Sequence, residues 1–193
     1  KGAQGLRGND GSTVTAASQR GRYVALFEEL LKRDSAPDAI GLQSHTGWVA
    51  DHGEQWAIYD EFAATGLPVH ITEFWASTRE LRESGKYSEA AIEELQAEYI
   101  GNYLTTAFGH PAVEAFFFWG FMGSAIDWRG RSGNEPKAPF HHLRRLIREE
   151  WTTREKRVTD DDGCVRFRGF YGEYGLRVRK ADGRLLGRRF GVR

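Results

Sequence analysis

The fold of this chain is decided by the stretch Leu67-Pro68-Val69-His70-Ile71-Thr72-Glu73-Phe74. Its apolar residues have high β-propensity, and the Gly66-Leu67-Pro68 breaker before them suits a loop that enters a strand. A strand that is apolar at nearly every position is usually buried on both faces of a parallel sheet. Glu73 then lies at the end of a buried strand, where a carboxylate is costly unless it is paired or used. The alternative is that Glu73 is simply the last strand residue and faces water.

Helical and strand patterns alternate along the chain around this stretch. The composition predicts loops at residues 1 to about 20 and in the charged segment that follows Phe74 and ends at Lys86. Periodicity predicts helices at 20–33, 53–65, 88–107 and 140–151, and strands at 39–45, 69–74 and 113–121. Alternation of this kind is typical of βαβ units and a parallel sheet. No glycine-rich phosphate loop follows any of these strands, so a nucleotide-binding fold has no support.

The pattern changes after Trp151. Turn signals at 161–163, 171–173 and 181–183 recur about every ten residues, as in small β structures. Between them, residues 165–168 and 176–179 alternate apolar and charged side chains with a period of two. This pattern predicts a small, half-exposed antiparallel β appendage at the C-terminus.

Composition excludes several classes of protein. The 27 basic and 27 acidic residues balance, so there is no overall electrostatic case for nucleic acid or an anionic membrane as partner. The stretch 183–193 carries four arginines and no acid, for which a solvated tail is favoured over a basic patch. Cys164 is the only cysteine, which excludes an intrachain disulfide. No apolar run approaches the ~20 residues of a membrane span.

Polar and aromatic side chains follow the predicted strands. Gln43 and His45 end the first strand, Glu73 and Trp75 end the second, and Trp119 ends the third. The C-terminal ends of parallel strands converge on one site, especially in (β/α)8 barrels. Indole rings stack on sugar faces, amide and imidazole groups bind hydroxyls, and a carboxylate attacks or stabilises an oxocarbenium-like centre. The combination indicates a sugar-binding pocket.

The histidines do not indicate a metal centre. His45, His52, His70 and His110 lack the spacing of metal ligands, and no cofactor is expected. Strand alternation predicts that His70 faces away from Glu73, toward the helices, and has a structural role.

Three motifs together make the chain resemble a known family. The segments 40–45, 67–74 and 118–121, in this order and at these intervals, resemble the second half of the family 10 glycoside hydrolases, mostly endo-β-1,4-xylanases. Residues 159–163 and 168–174 resemble a β tail found in a subset of that family. The resemblance implies a partial (β/α)8 TIM barrel, roughly strands 5/6 to 8. It divides the chain into a flexible lead-in at 1–19, a half-barrel at 20–152 and a β tail at 153–193.

The resemblance also implies roles for individual residues. Glu73 matches the nucleophile of a retaining glycosidase, and His45 matches the histidine that hydrogen-bonds it. The candidate substrate-binding residues are Gln43, Trp48, Trp75, Trp119 and Trp128. The expected partner is xylan or a related plant polysaccharide or oligosaccharide, and the parent protein is expected to be secreted.

The sequence also departs from the family pattern. No Asn-Glu pair follows a strand before Glu73, although the family places its general acid/base glutamate there; Asn134-Glu135 lies in a late loop. The first four barrel strands have no counterpart, and the fifth is at best a remnant at Asn9-Asp10. Trp75 stands where the family has an acidic residue that supports the histidine. The chain is therefore expected to hold half an active site, completed by a companion N-terminal half-barrel. The alternatives are a non-catalytic glycan-binding or decayed homologue, and a truncated gene product without activity alone.

Overall fold

A computed structural model describes residues 7–10, 17–46, 51–120 and 136–192 of the chain. The chain divides into two compact units, Lys1–Leu143 and Arg144–Arg193, and each unit is described by itself. The domain boundary predicted at residues 152–153 stays a prediction.

The described part of the first unit is an alternation of strands and helices. The strands are β1 (Arg7–Asp10), β2 (Ala39–Leu42), β3 (His45–Thr46), β4 (Val69–Ala76) and β5 (Val113–Phe118). The helices are α1 (Ala17–Lys32), α2 (His52–Ala63), α3 (Arg79–Ser84) and α4 (Glu89–Gly109), and α5 (Ala138–Arg145) crosses the division between the units. No helix among these is both long and apolar enough to cross a membrane.

The strands form one sheet in which every pairing is parallel. β4 lies at its centre, with β5 on one edge and with both β2 and β3 on the other, and β1 pairs with β2. β2 and β3 therefore act as one strand that is interrupted at Gln43 and Ser44. The β2 residues are buried throughout, as expected for a parallel strand covered on both faces. The predicted α/β class is confirmed.

Three local predictions differ from the structure. Strand β1 and the start of α1 lie in the segment predicted as a loop, because the Arg-Gly-Asn-Asp sequence of β1 carries no apolar alternation. Its strand geometry comes from the backbone ladder to β2, from Arg7 opposite Ala39 to Asp10 opposite Leu42. Helix α3 also lies in a predicted loop; its buried residue is Leu81.

The core of the first unit is an aromatic cluster between β4, β5 and α4. The Phe74 ring lies 4.5 Å from Tyr103 on α4 and 5.2 Å from Phe116 on β5, and it is fully buried. Helix α4 begins where the sequence predicted, because the Ser88 hydroxyl caps it by accepting from the Ala91 amide. This capped helix covers β4 with its apolar stripe.

A buried polar network lies within this core. Gln55 on α2 donates from Nε2 to the Tyr59 hydroxyl (2.8 Å) and to the Tyr103 carbonyl (2.9 Å). Burial raises the pKa of Tyr103 to about 12, and the hydroxyls of Ser44 and Tyr59 beside it partly offset that rise. Burial, and next the charge of Tyr103, raise the pKa of Tyr59 well above its usual value. Both phenols are therefore neutral in the folded protein at physiological pH.

The second unit contains a β-hairpin. Its strands β6 (Gly172–Arg179) and β7 (Leu185–Val192) pair antiparallel, and the predicted turn at 181–183 joins them. Residues 165–168, predicted as a strand, are not one. The segment before β6 is attached to the hairpin by the Tyr174 hydroxyl. This hydroxyl donates to the Phe170 carbonyl (2.5 Å) and lies 3.1 Å from the Thr153 hydroxyl.

We expect Phe74→Ala to lower the free energy of unfolding by about 3–5 kcal/mol, because it leaves a cavity inside the aromatic cluster. Phe117→Ala on β5 is the matched control, since the Phe117 side chain is 45% exposed. Its cost should stay below about 1 kcal/mol. Urea unfolding of the two variants measures both values, and equal losses would contradict the placement of Phe74.

We also expect stability to fall as pH rises above 10. Tyrosine in the unfolded chain ionises near pH 10, whereas Tyr103 in the folded chain stays protonated up to about pH 12. The free energy of unfolding therefore keeps its full value below pH 10. Above pH 10, each buried tyrosine with a raised pKa lowers it by about 1.4 kcal/mol per pH unit.

Tyr103→Phe should remove one tyrosine's share of this slope in the free energy of unfolding, measured by urea titration at alkaline pH. Tyr171→Phe, at an 82% exposed position, should leave the slope unchanged. A slope that is the same in both variants would contradict the burial of Tyr103.

Candidate active site

The site begins at the interruption between β2 and β3. Ser44 is fully buried and has a φ of +59°, a left-handed conformation that is uncommon outside glycine. Its carbonyl accepts a hydrogen bond from the Trp75 amide at 3.4 Å, and its hydroxyl lies beside that of Tyr103. This kink lets the chain rejoin the edge of β4 with His45 opposite Trp75.

The kink places His45 beside Glu73. The distance from His45 Nε2 to Glu73 Oε2 is 3.4 Å, and the two side chains are 35% and 23% exposed. This separation is longer than a normal N–H···O hydrogen bond, so the contact is an ion pair only when the histidine is protonated. Catalytic contacts are often long in ligand-free sites and tighten when substrate binds.

Two indole rings surround the histidine. The centroids of the Trp75 and Trp119 rings lie 6.1 Å and 5.8 Å from that of His45. Trp119 is held at the end of β5 by its amide, which donates to the Phe74 carbonyl at 2.9 Å. Both indoles remain 38–51% exposed, so their ring faces are accessible to a ligand.

A register irregularity in β4 decides which residues share this face. Val69 and Ile71 are fully buried, and so are Phe74 and Ala76, so the buried face changes parity between Ile71 and Phe74. The β4–β5 ladder shifts register at the same point.

Because of that shift, His70 lies on the less buried face with Glu73 rather than on the helix side. The predicted orientation of His70 is therefore wrong, since simple alternation does not foresee a bulge, whereas its structural role stays a prediction. Its Nε2 atom lies 3.8 Å from Glu114 Oε2 on β5, and its Nδ1 atom is buried without a hydrogen-bond partner among the described residues.

The other predicted site residues divide into two groups. Gln43 is half-buried in the interruption before Ser44, and the described contacts include no hydrogen bond from it to Glu73 or His45. Trp48 and Trp128 lie outside the described residues. In the ranges the structure covers, no group of three or more metal-binding side chains comes together.

Sequence reasoning missed Ser44 and the buried tyrosines behind it. A serine in a polar strand end carries no signal of a left-handed backbone. Gln55 was the one available clue, since a glutamine on the inner side of an amphipathic helix needs partners for its amide.

The arrangement supports chemistry at a single carboxylate. Within the described residues, the His45 imidazole lies at 3.4 Å from the Glu73 carboxylate, and the exposed Trp75 and Trp119 rings lie beside the imidazole. Such a carboxylate can attack an electrophilic carbon or stabilise a cationic centre, and neighbouring aromatic faces suit a flat, partly apolar ligand.

Comparison with known proteins finds relatives in sequence and in structure. The chain is 31% identical over 176 residues to the anti-sigma-I factor RsgI6 of Acetivibrio thermocellus, covering 86% of this chain and 21% of the relative. It is 26% identical over 170 residues to endo-1,4-beta-xylanase 2 of Arabidopsis thaliana, covering 86% of this chain and 15% of the relative. The chain thus spans about a fifth or less of these relatives.

The fold is also similar to solved xylanases. Xylanase 10B from Thermotoga petrophila, solved with xylobiose, superposes with a TM-score of 0.59 at 22% identity, covering 75% of this chain and 46% of that one. Native xylanase 10B from Thermotoga maritima gives 0.58 at 22% identity, with 74% and 46% covered. These similarities establish a (β/α)8-barrel fold over part of the barrel. The model of glycosyl hydrolase family 10 matches residues 4–142, and the chain therefore belongs to glycosyl hydrolase family 10.

Proposed function

We propose that the first unit is the second half of a retaining glycoside hydrolase barrel that acts on β-1,4-xylan, with Glu73 as nucleophile. In this assignment β1 is barrel strand 5, β2 and β3 together are strand 6, β4 is strand 7 and β5 is strand 8. The parallel order of the sheet and the coverage of about half of each solved relative support it.

The observation that carries the proposal is the 3.4 Å contact between His45 Nε2 and Glu73 Oε2 at the carboxyl ends of adjacent strands. Catalytic groups of (β/α)8 barrels lie at this end of the strands. An imidazole beside the carboxylate orients it and stabilises its negative charge before attack. Trp75 and Trp119 supply aromatic faces on which sugar rings stack.

The proposed reaction needs a second carboxyl group. Glu73 attacks the anomeric carbon and forms a glycosyl–enzyme bond, while a general acid protonates the leaving oxygen. Water then breaks that bond with the same group acting as base, which requires the two carboxyls to lie about 5–5.5 Å apart. We assign the second group to the Asn-Glu pair of a companion N-terminal half-barrel.

Xylan is the proposed substrate because several relatives are named as endo-1,4-beta-xylanases, and one solved neighbour holds xylobiose. Those names describe the relatives. We propose the same substrate class for this chain because it belongs to the same family.

The second candidate is a glycan-binding module without hydrolytic activity. One feature of the sequence favours it: Trp75 stands where the family has an acidic residue that supports the histidine. One relative is named as an anti-sigma factor rather than as a hydrolase.

We expect this chain, co-expressed with the first four βα units of a family 10 xylanase, to release reducing sugar from xylan. Glu73→Gln should lower kcat by on the order of 10³-fold or more, because the amide cannot act as nucleophile. Glu80→Gln, an exposed carboxylate on α3, is the matched control and should leave turnover unchanged.

Binding of xylohexaose to the chain alone, measured by calorimetry, separates the candidates. Binding without sugar release in the co-expressed form supports the glycan-binding module. Absence of both binding and release would contradict both candidates. Turnover that Glu73→Gln does not alter would refute the assignment of the nucleophile.

A further inference from the structure

One face of the β6–β7 hairpin alternates arginine with glycine across the two strands. Arg177 lies opposite Gly187, and Arg189 lies opposite Gly175. Arg179 continues the row opposite Leu185. Because same-face residues of a strand are about 6.8 Å apart, the three arginines form a row with that spacing along the hairpin.

Neither glycine opposite an arginine is needed by the hairpin itself. Gly175 and Gly187 do not have a positive φ. A Cβ at Gly175 would meet nothing within 4 Å, and at Gly187 it would meet the Leu176 carbonyl at 3.8 Å, an ordinary contact. Glycine inside a strand costs stability and often marks a place where a ligand approaches the backbone. Among the described residues, nothing in the hairpin requires glycine at either position.

The three arginines have no acidic partner among the residues described. Ion pairs of the second unit involve other arginines, such as Arg184 with Asp182. Glu173 is the one acid among the eight residues of this face, and its carboxylate lies against Gly191 at the open end of the hairpin. All three arginine side chains are exposed.

The charge of the whole unit agrees with the charge of this face. Residues 144–193 carry 15 basic and 8 acidic residues, whereas residues 1–143 carry 12 basic and 19 acidic ones. The zero net charge of the chain is therefore the sum of a basic unit and an acidic unit. A basic unit attracts polyanions.

The opposite face of the hairpin has a different character. It presents Tyr174 stacked on Phe190 at 5.6 Å, and Val178 opposite Leu186. This face is only partly covered, since Val178 is 37% and Leu186 52% exposed, and the arginine face is exposed along its whole length.

We propose that the arginine–glycine face, defined by Gly175, Arg177, Arg179, Gly187 and Arg189, binds a polysaccharide that carries carboxylate groups. Planar guanidinium groups pair with carboxylates in a bidentate manner that lysine cannot reproduce. The glycines give the sugar backbone a flat surface to approach between the arginines. A row of cations matches an extended polymer with uronate side groups rather than a single small anion.

The choice of a polysaccharide rests on the proposed function of the first unit. A binding face carried on the same chain raises the effective concentration of the polymer at the Glu73 site. Binding of anions by the arginines themselves does not depend on that function, so the two claims fail separately.

We expect the full chain to be retarded in gels that contain glucuronoxylan, and the retardation to weaken as salt screens the charges. The same polymer with its carboxyl groups reduced to alcohols is the control ligand, and it should bind at least about ten-fold more weakly. Equal retardation by both polymers would overturn the proposal. Tighter binding of single-stranded DNA than of glucuronoxylan would overturn it as well and assign the face to nucleic acid.

Two kinds of variant test the face itself. Replacing Arg177, Arg179 and Arg189 together by Gln should weaken binding by about 30-fold or more, whereas Arg188→Gln on the apolar face should change it less than about two-fold. Gly187→Thr should raise hairpin stability through its β-propensity and yet weaken glucuronoxylan binding, because its side chain stands on the face. If Gly187 has no role in binding, Gly187→Thr will raise the stability of the hairpin and leave glucuronoxylan binding unchanged, which would contradict the proposal.

Glu73→Gln separates this proposal from the proposed function. It should leave retardation by glucuronoxylan unchanged, because Glu73 belongs to the first unit. If hydrolysis fails in the co-expressed form and the arginine-dependent retardation persists, the catalytic proposal is refuted and the binding face stands. If the triple arginine variant binds as the unaltered chain does, the binding face is refuted whatever the activity.

Discussion

The left-handed backbone of Ser44 is the constraint on which the candidate site depends. It interrupts the strand that would otherwise run straight from Leu42 to His45, and it is fully buried against α4. A non-glycine residue with positive φ costs about 1–3 kcal/mol and persists only where the surroundings hold it. Here the Trp75 amide donates to the Ser44 carbonyl, and full burial beside Tyr103 confines the Ser44 side chain. Without this kink His45 would not reach Glu73.

The site therefore draws its geometry from residues that do not face the ligand. Tyr103 connects the helix layer to the kink, and Gln55 fixes the Tyr103 carbonyl from α2. The neutral phenols keep this polar network free of charge within an apolar core, where an ionised group would be expensive. The packed layer behind the sheet thus supports the strand ends that bring two partly buried side chains, His45 and Glu73, together.

The two units present different functional groups. The first unit places one carboxylate, one imidazole and two indoles at the carboxyl ends of parallel strands. The active sites of (β/α)8 barrels lie at this end of the strands. The second unit is a hairpin with an aromatic face and an arginine–glycine face, and its charge is opposite to that of the first. The proposed functions differ accordingly, with sugar-ring chemistry in the first unit and recognition of charge in the second.

The sequence by itself determined the family and predicted most of the strands and helices, and it singled out Glu73, His45 and Trp119 as candidate site residues, because local motifs and periodicity carry that information. It foresaw the Ser88 cap for the same reason. Only the tertiary structure decided that β1 is a strand, that His70 shares a face with Glu73, and that Ser44 turns left-handed. These features arise from ladder register and from packing between distant segments, and neither is encoded in the alternation of neighbouring residues.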